Sequence, residues 1–94
     1  MEFFARVINQ GVLVEHNWTN ERGENRVIAS IEVTLSTGLD TMVVEANDDL
    51  ARSINNDKLP IDGLFCCRVK ATVRESKEKK IKFNSLRLIE IEQL

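Results

Sequence analysis

The 94-residue sequence has no tyrosine, one tryptophan, one histidine, two cysteines and four glycines that stand apart from one another. Each scarcity excludes a class of function. No apolar run approaches the ~20 residues that a membrane-spanning helix requires. Met1-Glu2-Phe3-Phe4 places an acid where a secretory leader needs positive charge, and no long apolar segment follows; a cytoplasmic protein is expected. Isolated glycines leave no phosphate-cradling loop. His16 has no serine or cysteine placed to suggest a catalytic partner, and the acidic doublet Asp48-Asp49 is explained by favourable charge at a helix start. No nucleophile–base pair or metal constellation can be assembled, so neither enzymatic activity nor a bound metal or other cofactor is expected.

Cys66 and Cys67 are adjacent within an apolar run. Neighbouring strand residues point to opposite faces, so a disulfide between them is geometrically poor. With His16 far away in sequence they do not make a zinc pattern. Reduced, buried packing cysteines are expected.

What is present fits one globular domain over residues 1–94, since 43% of the residues are hydrophobic and the net charge is only −2. That total conceals a division. Residues 1–63 hold five Lys/Arg against eleven Asp/Glu, whereas residues 64–87 hold eight Lys/Arg against Glu75 and Glu78 alone. Such asymmetry says more about partners than the total does.

Five strand-like stretches and one short helix can be read. From Arg26 to Ser36 one parity is Val27, Ala29, Ile31, Val33 and Leu35, and the other is nearly all polar; this marks a strand with one buried and one wet face. Thr37-Gly38 supplies a turn, and Leu39 to Ala46 reads as the third strand of a hairpin. The first stretch, Phe3 to Val14, contains Gly11, which is expected to mark a bend or bulge. Residues 16–25, HNWTNERGEN, are polar and turn-rich and read as a loop. Asn47 can cap a helix over the following DDLARSI, which Pro60 and the preceding polar residues stop. The fourth stretch, Leu64 to Glu75, alternates again, with Phe65, Cys67, Val69, Ala71 and Val73 on one face. The fifth begins at Lys80, with Phe83 read as core like Phe65, and its phase slips around Asn84-Ser85, as a bulge would cause. The order β-β-β-α-β-β is that of the OB-fold, a five-stranded Greek-key barrel with a helix between strands three and four; an open five-stranded sheet with one helix fits the same pattern.

The opposite parity of the fourth stretch carries Arg68, Lys70, Thr72 and Arg74, whose side chains leave one sheet face together. Lys77, Lys79 and Lys80 extend the cationic field through the next hairpin, and Lys82 carries it onto the fifth stretch. A strip of this kind, at about 3.3 Å per residue, can follow several backbone phosphates. The bland alternative is that lysines in a long hairpin prevent edge pairing, which does not account for the near-absence of acids there. Aromatic platforms for stacking bases are sparse. Trp18, in a polar loop, is the best placed, with Arg22 and Arg26 beside it for phosphate or cation–π contacts. Phe3 and Phe4 are adjacent, so one of them can face outward.

The stretches FFARVINQGVLVE, RGENRVIASIEVTL, DLARSI, GLFCCRVKATVRE and KIKFNSLRLIEIEQL together resemble the bacterial single-stranded-DNA-binding proteins and the related primosomal replication protein B group. The resemblance is spread along the chain and has no short diagnostic motif. It implies an OB-fold that assembles into homodimers or larger oligomers and binds single-stranded DNA, or RNA, with little sequence preference, without catalysis. By that analogy the contacts are Trp18, Arg68, Lys70, Arg74, Lys77, Lys79, Lys80 and Lys82. The chain ends at IEIEQL straight after the last strand, so the acidic recruiting tail of such proteins is not expected, and the few aromatics make charge the larger contributor to affinity. The competing expectation is a protein-interaction or scaffold module on the same barrel, favoured by the net acidity and the short aromatic roster.

Overall fold

The computed structural model describes residues 1–75 and 82–94, with the side chains of residues 18, 72–75 and 82–84 outside that description. Along the described chain run β1 (Glu2–Gln10), β2 (Val14–Thr19), β3 (Asn25–Ser36), β4 (Thr41–Asn47), α1 (Asp48–Asp57), β5 (Leu64–Glu75) and β6 (Lys82–Gln93). Hydrogen-bonded neighbours follow the order β1-β5-β6-β4-β3-β2, and β1 pairs additionally with β3. That extra pairing closes a ring of β1, β5, β6, β4 and β3. β1 serves both neighbours, with Glu2 to Arg6 on β5 and Arg6 to Gln10 on β3. One pairing in the ring is parallel, β4 against β6 at Glu45 and Arg87. With the helix between β4 and β5, this is the five-stranded Greek-key barrel of the OB-fold.

The barrel fills with the inward parity of each strand. Val7, Ile31, Val33, Leu35, Val44, Cys67, Val69 and Leu88 are buried together, and their removal from water supplies most of the drive to fold. Ala51 and Ile54 of α1 join the same cluster, so the helix covers one open end. Asn47 occupies the N-cap position, but its side chain makes no capping bond, and its Oδ1 is buried without a hydrogen-bond partner among the described residues. The carboxylate of Asp48 instead accepts the Ala29 backbone N–H at 3.4 Å.

Three sequence expectations change. The first stretch is two strands rather than one, because the chain bends at Gly11, whose N–H donates to the Glu32 carbonyl at 2.8 Å. A Cβ there would stand 3.1 Å from the same oxygen, so glycine is what allows the approach. The expected loop at 16–25 is a β-hairpin arm, in register from Val14–Ser30 to Thr19–Asn25. Its turn is held by Asn20 Oδ1, which accepts the N–H groups of Arg22 and Glu24, both at 2.9 Å, and by Gly23 at φ +78°. Both faces of the arm lie beyond the barrel and are wet: Arg26, Val27 and Ile28 are all exposed. Period-2 burial, the signal that reveals strands, does not exist there. Third, the irregularity in β6 lies at Ile89, since Arg68 faces Glu90 and Val69 faces Leu88, four residues beyond the expected slip. Phe83, expected in the core, pairs through its backbone with Arg74, and its side chain lies outside the described residues.

Candidate nucleic-acid interface

Outward residues of β5 meet outward residues of β6 in pairs. Lys70 stands opposite Arg87, and both are exposed. Arg87 in turn pairs with Glu45 of β4, and Glu45 with Glu32 of β3. Directly opposed residues share a sheet face, so one row across four strands reads Lys70, Arg87, Glu45, Glu32. Two cations adjoin two carboxylates. Like charges directly opposite destabilise a sheet, so the Lys70–Arg87 pair is a local cost that a bound anion would relieve. Among the described residues neither Lys70 nor Arg87 makes an ion pair.

Arg68, two residues earlier on the same face, is differently placed. Its guanidinium bridges Glu2 of β1 at 3.6 Å and Glu90 of β6 at 3.3 Å. Those carboxylates, with Glu92 and Cys66, line a small cleft of about 100 Å³ around it. Three acids surround one cation, so the charge of Arg68 is matched within the protein. The two cysteines point to opposite faces, as neighbouring strand residues must: Cys67 is buried inside the barrel as expected, but Cys66, also expected to be buried, is only half-buried and points outward, its thiol donating to Glu2 Oε1 at 3.4 Å. Burial pushes the Cys67 thiol up to about 11, the neighbouring Cys66 adding to the effect. The Cys66 thiol is also raised, first by desolvation and then by its hydrogen bond to Glu2.

The remaining expected residues fall into separate places. Thr72 and Arg74 continue β5 opposite Ser85 and Phe83, and Lys82 pairs with Glu75; their backbones extend the ladder away from the acidic cleft. Lys77, Lys79 and Lys80 lie outside the described residues. Arg22 sits in the turn of the β2–β3 arm, and Trp18 pairs through its backbone with Arg26. The register sets the arm apart from the basic ladder. β6 runs parallel to β4 and therefore antiparallel to β3, so from the Lys70 row the β5–β6 hairpin leaves toward the turn at 37–40 while the arm leaves toward α1. Arg26 is six residues along β3 from Glu32, about 20 Å. The structure thus gathers Lys70 with the ladder of β5 and β6 and leaves Trp18, Arg22 and Arg26 at the other end of the sheet.

Arg87 is the residue that the sequence reading passed over. It belongs to the basic segment by count, but its partner is not local: the register, with the extra residue at Ile89, sets Arg87 directly opposite Lys70. Of the adjacent phenylalanines, Phe3 packs against the core and Phe4 is 62% exposed on the outer face of β1. Among the described residues no group of three or more His, Cys, Asp and Glu side chains converges as a metal would need, and no helix is long and apolar enough to cross a membrane.

Fold and surface together define a small OB-fold barrel with a cationic ladder on its outer wall. No protein-family model matches the chain, and no curated protein matches it significantly. Among solved structures it is similar to a small single-stranded DNA-binding protein from Streptomyces coelicolor, with 16% sequence identity over 99% of this chain and 91% of that one and a TM-score of 0.49.

Proposed function

We propose that this chain is a non-enzymatic binder of single-stranded nucleic acid, foremost single-stranded DNA, with little sequence preference. The observation that carries the reading is the opposed, exposed pair Lys70 and Arg87 on the outer face of β5 and β6. Phosphates lying on that pair would turn a repulsive contact into a shared counter-charge. Arg74 prolongs the same ladder in sequence, with Thr72 adding a hydroxyl donor; Lys77, Lys79 and Lys80 lie in the segment that connects its two strands, and Lys82, whose position opposite Glu75 belongs to the other parity, adds cationic charge where β6 begins. The loops and sheet face of OB-folds are a recurrent oligonucleotide-binding surface, although fold by itself assigns no function. Replication, recombination or the maintenance of a mobile element are the processes that such a binder serves, in the cytoplasm.

Trp18 and Arg26 form a second, more distant contact, with Trp18 stacking a base, reached by longer strands. Self-association into a homodimer or larger oligomer belongs to the same reading, supported by Val14, Val27 and Ile28, which the β2–β3 arm leaves exposed. Fluorescence anisotropy of labelled oligo-dT at low and moderate salt tests the proposal. Affinity should fall log-linearly with salt, by about 0.7 per phosphate engaged; absence of binding at low salt would refute it and favour the interaction-module alternative.

A further inference from the structure

Resting on that reading, we propose that a groove beside the cationic ladder is a nucleobase subsite that prefers guanine, with the Glu32 carboxylate accepting from the N1–H and N2–H groups of its pairing edge.

The groove has a volume of about 470 Å³ and lies on the wet face of β3, between the bend at Gly11 and the strands β2 and β4. That volume is within the ~300–1,000 Å³ of small-ligand sites. Its construction follows from the chain. The Gly11 N–H donates to the Glu32 carbonyl at 2.8 Å, which pins the bend over the residue whose side chain lines the groove. Leu13 turns back to pack against the core, while its neighbours Val12 and Val14 give the groove an apolar wall. Val12 is 83% and Val14 44% exposed, so core packing does not account for either. His16 and Ser30 complete the side toward the arm. Half-buried Glu45 forms the side toward β6 and is already engaged within the protein. Exposed Glu32 is the carboxylate that the groove offers to a ligand.

These contents select the occupant. An apolar wall suits the face of a base, and a carboxylate suits an edge rich in donors. Guanine presents two adjacent donors, N1–H and N2–H, which a carboxylate accepts as a bidentate, charge-assisted pair. Cytosine and adenine set one amino donor beside an acceptor nitrogen, and thymine sets one N–H between two carbonyls, so each turns an acceptor toward the carboxylate. The groove also adjoins the ladder. Glu45 stands opposite Glu32 on β3 and beside Arg87 on β6, which puts Glu32 two strand spacings, about 10 Å, from Arg87. A nucleotide whose phosphate rests on the Lys70–Arg87 pair therefore brings the pairing edge of its base toward Glu32. Phosphate contacts still position the strand, so the preference acts at one base and is superimposed on a grip that ignores sequence elsewhere.

The test compares anisotropy titrations of a short labelled oligo-dT, the same oligomer with one central dG, and the same oligomer with deoxyinosine there, which lacks the N2 amino group. The readout is the ratio of affinities within each protein, in which the general effect of charge on strand binding cancels. The parent should bind the dG oligomer about fivefold or more tighter than oligo-dT, with deoxyinosine between them. E32Q, which replaces one acceptor oxygen by a donor, should bind the dG and dT oligomers within about twofold of each other, whereas the control D62N, a charge removed from the loop after α1, should keep the parent's ratio. A dG oligomer bound by the parent no tighter than oligo-dT, deoxyinosine bound as tightly as dG, or a preference that persists in E32Q would overturn the inference while leaving single-strand binding intact. If the parent binds none of the oligomers at low salt, the nucleic-acid reading falls, and the base subsite with it.

Discussion

Lys70 and Arg87 face each other across the β5–β6 ladder, two exposed cations at directly opposed positions of an antiparallel pair. The arrangement sets stability against function. Converting Lys70 to Glu would replace repulsion by a cross-strand ion pair worth about 0.2–1 kcal/mol. K70E should therefore melt roughly 1–5 °C higher, while its affinity for oligo-dT drops tenfold or more. K70A/R87A should lose affinity without losing stability, and the slope of log affinity against log salt should shrink by about 1.4, two phosphates at 0.7 each. Calorimetry and anisotropy on the same preparations read both quantities. A variant that melts higher and binds unchanged would remove this ladder from the interface.

Arg68 presents the reverse situation, a cation already spoken for by Glu2 and Glu90. All three side chains are more than half exposed, so the pairs contribute little to stability, at most about 1 kcal/mol in total. Neutralising both acids in E2Q/E90Q frees the guanidinium for phosphate. Affinity for oligo-dT should rise a few-fold and the salt slope steepen by about 0.7, with urea denaturation little changed. An unchanged slope would show that strands do not reach this end of β5.

Much of the fold was legible because burial writes a period into the sequence. Ala29, Ile31, Val33 and Leu35 alternate with polar residues and are all buried in β3, and Phe65, Cys67 and Val69 do the same in β5. Gly11 also declared its bend correctly. The β2–β3 arm was illegible for the converse reason: with water on both faces, His16, Asn17 and Thr19 satisfy a ladder without any apolar rhythm. The partners of the charges were hidden as well. That Lys70 meets Arg87 while Arg68 meets Glu2 depends on the register of three strands and on one extra residue, Ile89, which no local pattern specifies.

Cys67 gives the fold a pH signature. Its thiol is raised from the ordinary 9.0 to about 11 in the folded chain, through burial first and the adjacent Cys66 second. A raised folded value means that the native state holds its proton while the unfolded state releases it. The stabilisation is thus complete below about pH 9 and is lost progressively as pH climbs toward about 11. Melting temperature should fall across that window, and C67A, though destabilised at neutral pH by the cavity it leaves, should show a shallower fall. Alkylation should follow the same order, with half-buried Cys66 labelled before Cys67 and Cys67 resisting iodoacetamide at pH 8 unless the chain is unfolded. Rapid labelling of Cys67 in the native protein would contradict its burial at the barrel centre.

Trp18 tests how far a bound strand extends. It lies on the arm opposite Arg26, about 20 Å from the Lys70 row measured along β3, and at 3.4 Å per stacked nucleotide that distance takes roughly six nucleotides. Oligomers shorter than this should bind through the ladder alone, with affinity sensitive to K70A/R87A and tryptophan emission unmoved. Longer oligo-dT should quench the emission, and W18A should weaken those strands by about 1–3 kcal/mol, the usual contribution of one stacked base, leaving the short ones unaffected. Quenching by the shortest oligomers would place the first contact on the arm, whereas emission unchanged at saturation with long strands would take the arm out of the interface and confine binding to β5 and β6.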